Sequence, residues 1–147
     1  MSKLAFVFGI PLFLVLFVGC AKEEKHPIPN VNVYFSIDLA NDNTLQFDGN
    51  AIFYKGHGYL GFGVIVGYYN GYYNEEYSAY DATCPKHLDS PKAVQLTSGR
   101  IATCPYCNTT YQLDNYGLPI QANKTTNEYP LKKYRVSKYD RYITVYN

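Results

Sequence analysis

The sequence predicts an all-β domain, a small antiparallel fold of stacked sheets or a barrel that carries two metal-binding-type loops. Composition is the first reason. Among 147 residues there are 17 Tyr and 8 Phe, no Trp and one Met, and Tyr, Phe, Val, Ile and Thr favour a pleated, half-buried surface. The second is period-two alternation of apolar and polar residues, broken at short intervals by Gly, Asn and Asp turns. The third is that no segment beyond the leader keeps a helical period for more than a turn or two. At this length there is room for one domain and little more.

Residues 1–19 read as a lipoprotein signal peptide rather than as part of the fold. Lys3 supplies a positive start, and Leu4 to Val18 is an uncharged apolar run of 15 residues interrupted by Pro11. That is short of the roughly 20 residues a helix needs to span a bilayer. The close, Leu16-Phe17-Val18-Gly19-Cys20, resembles a bacterial lipobox, with Phe17 where Leu is usual. The resemblance makes Cys20 the lipidation site, where several acyl chains hold a membrane stably and one alone would not. Residues 20–30 are charged and contain two prolines, so they read as a flexible tether with His26 exposed beside the prolines. Ala21 after the acylated Cys resembles lipoproteins sent to an outer membrane, and Lys22-Glu23-Glu24 is similar to the surface-export signal of Bacteroidetes lipoproteins. The expected partner is therefore a membrane, reached through the lipid, and the expected location is the periplasmic or cell-surface side of a bacterial outer membrane. Without Lys3 the 13 basic residues become 12, against 12 acidic. That balance leaves no basic stripe for nucleic acid.

The β domain is expected over residues 31–147. Val31 to Leu39 alternates strictly, with Val31, Val33, Phe35, Ile37 and Leu39 on one face, the mark of a half-buried antiparallel strand. Asn41-Asp42-Asn43 is a turn, Leu45 to Phe47 a short strand, and Asp48-Gly49-Asn50 a second turn. Ala51 to Tyr54 resumes β, and His57 stands between two glycines at a turn. Val64-Ile65-Val66 is the most buried-looking strand, and Asn70-Gly71 between tyrosine pairs is the strongest hairpin signal in the chain. Glu75 and Glu76 are adjacent and would point to opposite faces of a strand, so they form no acid–base pair. Tyr77 to Ala82 is a further strand. Tyr111 to Leu113, Leu118 to Ile120, and a last hairpin of Leu131 to Ser137 with Tyr142 to Tyr146 complete the β content, with residues 121–130 a polar loop.

Two Cys-Pro clusters carry the chemistry. With Cys20 assigned to lipid, three thiols remain, Cys84, Cys104 and Cys107, an odd number for disulfides. Adding His87 gives C-x2-H, sixteen residues, then C-x2-C. Two short-spaced pairs on separate loops are an arrangement for tetrahedral zinc or an iron–sulfur cluster, because a two-residue gap lets both side chains bend toward one centre. The alternative is one disulfide with one buried thiol. Cys104-Pro105-Tyr106-Cys107 also matches a thioredoxin-like redox motif, but Asn108-Thr109-Thr110-Tyr111 is poor at starting the helix such a motif requires. No nucleophile, general base or substrate pocket declares itself beside the loops, so a catalytic role is not expected.

Tyr80-Asp81-Ala82-Thr83-Cys84-Pro85, then Cys104-Pro105 and Tyr111, the Gly117 turn, and Pro130-Leu131 with Tyr134 and Val136 together resemble a Rieske [2Fe–2S] domain. They resemble in particular the divergent Rieske-like lipoproteins of the Bacteroidetes. The resemblance covers roughly residues 61–147. It implies a two-iron cluster, an electron-carrier role and a redox partner protein, with Cys84 and Cys104 as the thiolates of one iron. The histidine positions of the other iron depart: Lys86 stands at the first with His87 one residue late, and Cys107 stands at the second. If His87, Cys84, Cys104 and Cys107 all bind, three thiolates replace two, which lowers the potential of a cluster and suits zinc equally well. By the same resemblance Thr109 stands where a hydroxyl bonds a bridging sulfide, and Tyr111 where one bonds a Cys sulfur. Asn108 replaces the family's glycine. A surface binding module, with its loops closed by a disulfide or zinc and its tyrosines binding a ligand, is the other reading.

Overall fold

The computed structural model describes residues 25–70, 77–120 and 129–147. The leader with Cys20, Gly71 of the Asn70-Gly71 turn, Glu75 and Glu76, and most of the polar loop after residue 120 lie outside them. The described residues hold ten strands in two antiparallel sheets, with two short 3-10 turns and no α-helix among them. Strands β1 (Tyr34–Asp38), β2 (Asn50–Tyr54), β3 (Val64–Tyr68), β4 (Tyr77–Asp81), β9 (Lys133–Tyr139) and β10 (Tyr142–Tyr146) form a six-stranded sheet in the order β1-β10-β9-β4-β3-β2. Strands β5 (Gln95–Ser98), β6 (Ile101–Thr103), β7 (Thr110–Gln112) and β8 (Leu118–Pro119) form a smaller sheet in sequence order.

The alternation read at Val31 to Leu39 is realised: Val33, Ile37 and Leu39 are buried while Asn32, Tyr34 and Ser36 are exposed. The continuous run at Val64-Ile65-Val66 has a different cause. Ile65 packs in the core shared with the small sheet, while Val64 and Val66 pack in the core on the other face of the large sheet. A strand covered on both faces has no polar side to alternate with.

Tyrosine builds much of this interior. Tyr80, Tyr111 and Tyr134 are each buried to within 2% of complete exclusion. Each hydroxyl is satisfied, Tyr80 donating to the Leu113 carbonyl at 2.9 Å and Tyr134 to Asp81 at 2.6 Å, as a buried phenol requires.

Two expectations are corrected. Leu45 to Phe47 is not a strand. A 3-10 turn spans Asn43–Gln46 and buries Leu45 alone, while Phe47 is exposed, because one apolar side chain with polar neighbours needs a plug rather than a face. The end of the expected tether is also docked. Ile28 is fully buried, His26 Nε2 lies 2.9 Å from the Pro130 carbonyl, and Lys132 Nζ donates to the Ile28 carbonyl at 3.1 Å and to Asn30. His26 is thus half-buried rather than free in solvent.

Candidate metal centre

The first Cys-Pro loop joins β4 of the large sheet to β5 of the small one, the second lies within the small sheet, and both turn for the same local reason. Proline presets its own φ for the second position of a turn. In the first loop the His87 N–H donates to the Cys84 carbonyl at 3.1 Å, closing Cys84-Pro85-Lys86-His87. The loop's two legs are held by Cys84 N–H to the Lys92 carbonyl at 2.8 Å and Val94 N–H to the Ala82 carbonyl at 2.7 Å. The second loop joins β6 to β7, and the Asn108 N–H reaches back to the Cys104 carbonyl at 2.8 Å. Asn108 takes the left-handed conformation, with φ 57°, which Asn tolerates better than most residues. It therefore does the conformational work of the glycine it replaces.

The loops bring Cys84, His87, Cys104 and Cys107 together, one ligand atom from each lying within 4.8 Å of the others. Cys84 and Cys104 are fully buried in the shared core; His87 and Cys107 are half-buried at its rim. Cys84 Sγ is 3.8 Å from Cys107 Sγ and 3.5 Å from the Tyr111 hydroxyl. Cys107 Sγ is 3.2 Å from the Thr109 hydroxyl. Tyr111 and Thr109 therefore both touch sulfur, as the resemblance implies for Tyr111. Lys86 is exposed at the loop's tip, and its backbone N–H bonds the Cys84 sulfur. His87 Nε2 is shielded from solvent with no hydrogen-bond partner, an unsatisfied nitrogen of the kind a bound ion satisfies.

The environment splits the thiols. Burial pushes the Cys84 thiol up to about 12, against the lowering effect of Tyr111 and the Lys86 amide. Burial works against ionisation at Cys107 too, but hydrogen bonds with the Thr109 side chain and backbone, and with Cys104 and His87, outweigh it and hold this thiol down to about 6. Burial, then the bond to Cys84, raises Tyr111 above the ordinary phenol range. Cys107 thus ionises before Cys84.

Asp81, which the sequence offers only as one residue of the Rieske-like segment, is a positioning residue. It is wholly buried at the end of β4, and its Oδ2 accepts from the Tyr59 N–H and the Tyr134 hydroxyl, each at 2.6 Å. Its Oδ1 accepts from the Thr83 N–H at 2.7 Å, one residue before Cys84. Gly58, at φ 77°, lies so close that a Cβ there would stand 2.7 Å from Asp81 Oδ2. The signal available in the sequence was a carboxylate set among Tyr, Ala and Thr on a buried strand. Beside the loops a cleft of about 780 Å³ is lined by Phe53, Phe62, Val94, Leu96 and Tyr106 and edged by Lys55 and Lys92.

No family model matches this chain, and no curated protein is similar to it. Solved structures are. The quaternary ammonium Rieske monooxygenase CntA, in complex with L-carnitine, superposes with a TM-score of 0.55 at 16% identity over 80% of this chain and 32% of its own. A structure of the complex between oxygenase and ferredoxin in carbazole 1,9a-dioxygenase gives a TM-score of 0.50 at 17% identity, over 82% of this chain and 30% of its own. The chain spans about a third of the length of these solved chains. At such identity the likeness is one of fold, and the fold is the Rieske-like one expected.

Proposed function

We propose that this Rieske-like domain is a membrane-tethered metal-binding protein. Its centre is held by Cys84, His87, Cys104 and Cys107, and its anchor is an acylated Cys20 on the periplasmic or surface side of an outer membrane. The observation that carries the reading is the convergence of four soft ligands from two loops to within 4.8 Å. The lipid anchor rests on the lipobox-like residues alone.

The [2Fe–2S] centre of a Rieske protein is the group the fold implies, and its chemistry there would be one-electron transfer to a redox partner. The donor set does not fit it. A Rieske cluster takes two histidines on one iron. Here one histidine is present, Cys107 stands at the other position, and the exposed Lys86 has an ammonium with no lone pair to give. No electron-transfer step is therefore assigned to this chain.

The test is thermal unfolding of the full-length protein in detergent, before and after metal removal by a chelator under reducing conditions. A ligand at 100 times its Kd adds about 2.7 kcal/mol to the folded state, so removal is expected to lower Tm by about 5–10 °C, and Cys107→Ser to abolish the difference. Cys20→Ser should release the protein from the membrane fraction. An unchanged Tm, with a disulfide between Cys84 and Cys107 found by mass spectrometry, would favour the surface binding module instead.

A further inference from the structure

Resting on the reading that these four side chains hold a metal, the geometry points to a single tetrahedral zinc ion in place of a two-iron cluster. In the Rieske-like arrangement Cys84 and Cys104 serve one iron, while the second histidine position, here Cys107, serves the other. Cys84 and Cys107 would then sit on opposite irons. Two irons bridged by sulfides at a metal–sulfur length of about 2.3 Å stand about 3 Å apart, and their terminal ligands lean outward, so ligands on opposite irons end more than about 5 Å apart. Cys84 Sγ and Cys107 Sγ are 3.8 Å apart. No other division into pairs repairs this, because all four donor atoms lie within 4.8 Å of one another.

One metal accounts for the spacing directly. Four ligands at tetrahedral angles, with metal–sulfur bonds of about 2.3 Å, place two sulfurs about 3.8 Å apart. The Cys84 to Cys107 distance is one edge of that tetrahedron. The set of three thiolates and one imidazole fills all four positions and leaves none open for substrate, as in structural zinc sites. Zinc takes this geometry without electronic cost, and nitrogen and sulfur sites hold it more tightly than ferrous iron. Three thiolates on a divalent ion leave one net negative charge. The Tyr111 hydroxyl and the Lys86 amide at Cys84, with the Thr109 hydroxyl at Cys107, are placed to spread it. Such a centre is redox-silent and staples the two loops together.

The experiment purifies the full-length protein in detergent, without oxygen, from cells supplied with both iron and zinc. Zinc, iron, copper and acid-labile sulfide are counted per chain, and the bound metal is then exchanged for cobalt(II). One zinc per chain, no sulfide, and a cobalt form with the intense ligand-field absorption of a tetrahedral site are expected. Two irons and two sulfides per chain would overturn the inference while leaving the metal-centre reading intact. A single iron or copper per chain would overturn the choice of zinc. Protein with no metal that also fails to take up cobalt would overturn both.

Discussion

Asp81 ends a strand of aromatic and small residues just before the first metal loop. A carboxylate can stay there without solvent only because three donors meet it, the Tyr59 and Thr83 amides and the Tyr134 hydroxyl. Hydrogen bonds to a charged group contribute about 1.5–3 kcal/mol each, so Tyr134→Phe is expected to cost that much in urea unfolding, and Asp81→Asn about 3 kcal/mol or more because the amide turns donors against donors. A loss below about 1 kcal/mol for both would remove Asp81 from the account. The second prediction concerns the thiols of metal-free, reduced protein. Cys107 is held near 6 and Cys84 near 12, against an ordinary 9.0 for both. Alkylation should mark Cys107 with a rate that rises through about pH 6, and leave Cys84 unmodified at neutral pH. The stability signs are opposite. The contribution of Cys107 is whole above pH 9 and is lost as pH falls toward 6, whereas that of Cys84 is whole below pH 9 and is lost as pH rises toward 12. Equal labelling of the two at pH 7 would contradict the split. Spacing alone made the four side chains that converge legible in the sequence. The role of Asp81 was not, because Tyr59 and Tyr134 come to it from 22 and 53 residues away.

Among the elements, strands with a strict period or a flanking turn were readable: β1, β2, β3, β4 and the β9–β10 hairpin stand within a few residues of expectation. Strand β5 was not singled out, since Gln95 to Ser98 buries little and pairs with β6 across a register shift. Its place is set by tertiary contact. Gly99, in the β5–β6 turn, abuts the Gly49 turn so closely that a Cβ would stand 1.9 Å from the Gly49 carbonyl oxygen. Beside it Arg100 bridges Asp48 and Asp114, each at 2.7 Å, and Tyr69 donates to the Gly99 carbonyl at 2.8 Å. Gly99→Ala forces backbone against backbone at this seam and is expected to cost about 1–3 kcal/mol. The partly exposed Arg100 pairs are worth less, about 0–1 kcal/mol each. Chemical denaturation of the two variants, Gly99→Ala and Arg100→Met, checks the order; the reverse order would mean that charge, not close approach, holds the seam.

At the scale of the molecule, a large sheet whose strands β3 and β4 are covered on both faces adjoins a small sheet, and the β4–β5 and β6–β7 connections present two loops at one place. The Rieske-like architecture was legible because Cys-Pro loops, the Gly117 turn and a closing hairpin recur in order along the chain. The chemistry was less so, because ligand types can be read from a sequence while the distance between two sulfurs cannot. That distance separates one metal from two. X-ray absorption at the metal edge of the purified, loaded protein distinguishes the two. A zinc edge with three sulfurs at about 2.3 Å and one nitrogen at about 2.0–2.1 Å, and no metal neighbour, is expected. An iron edge with a second iron in the next shell would contradict it.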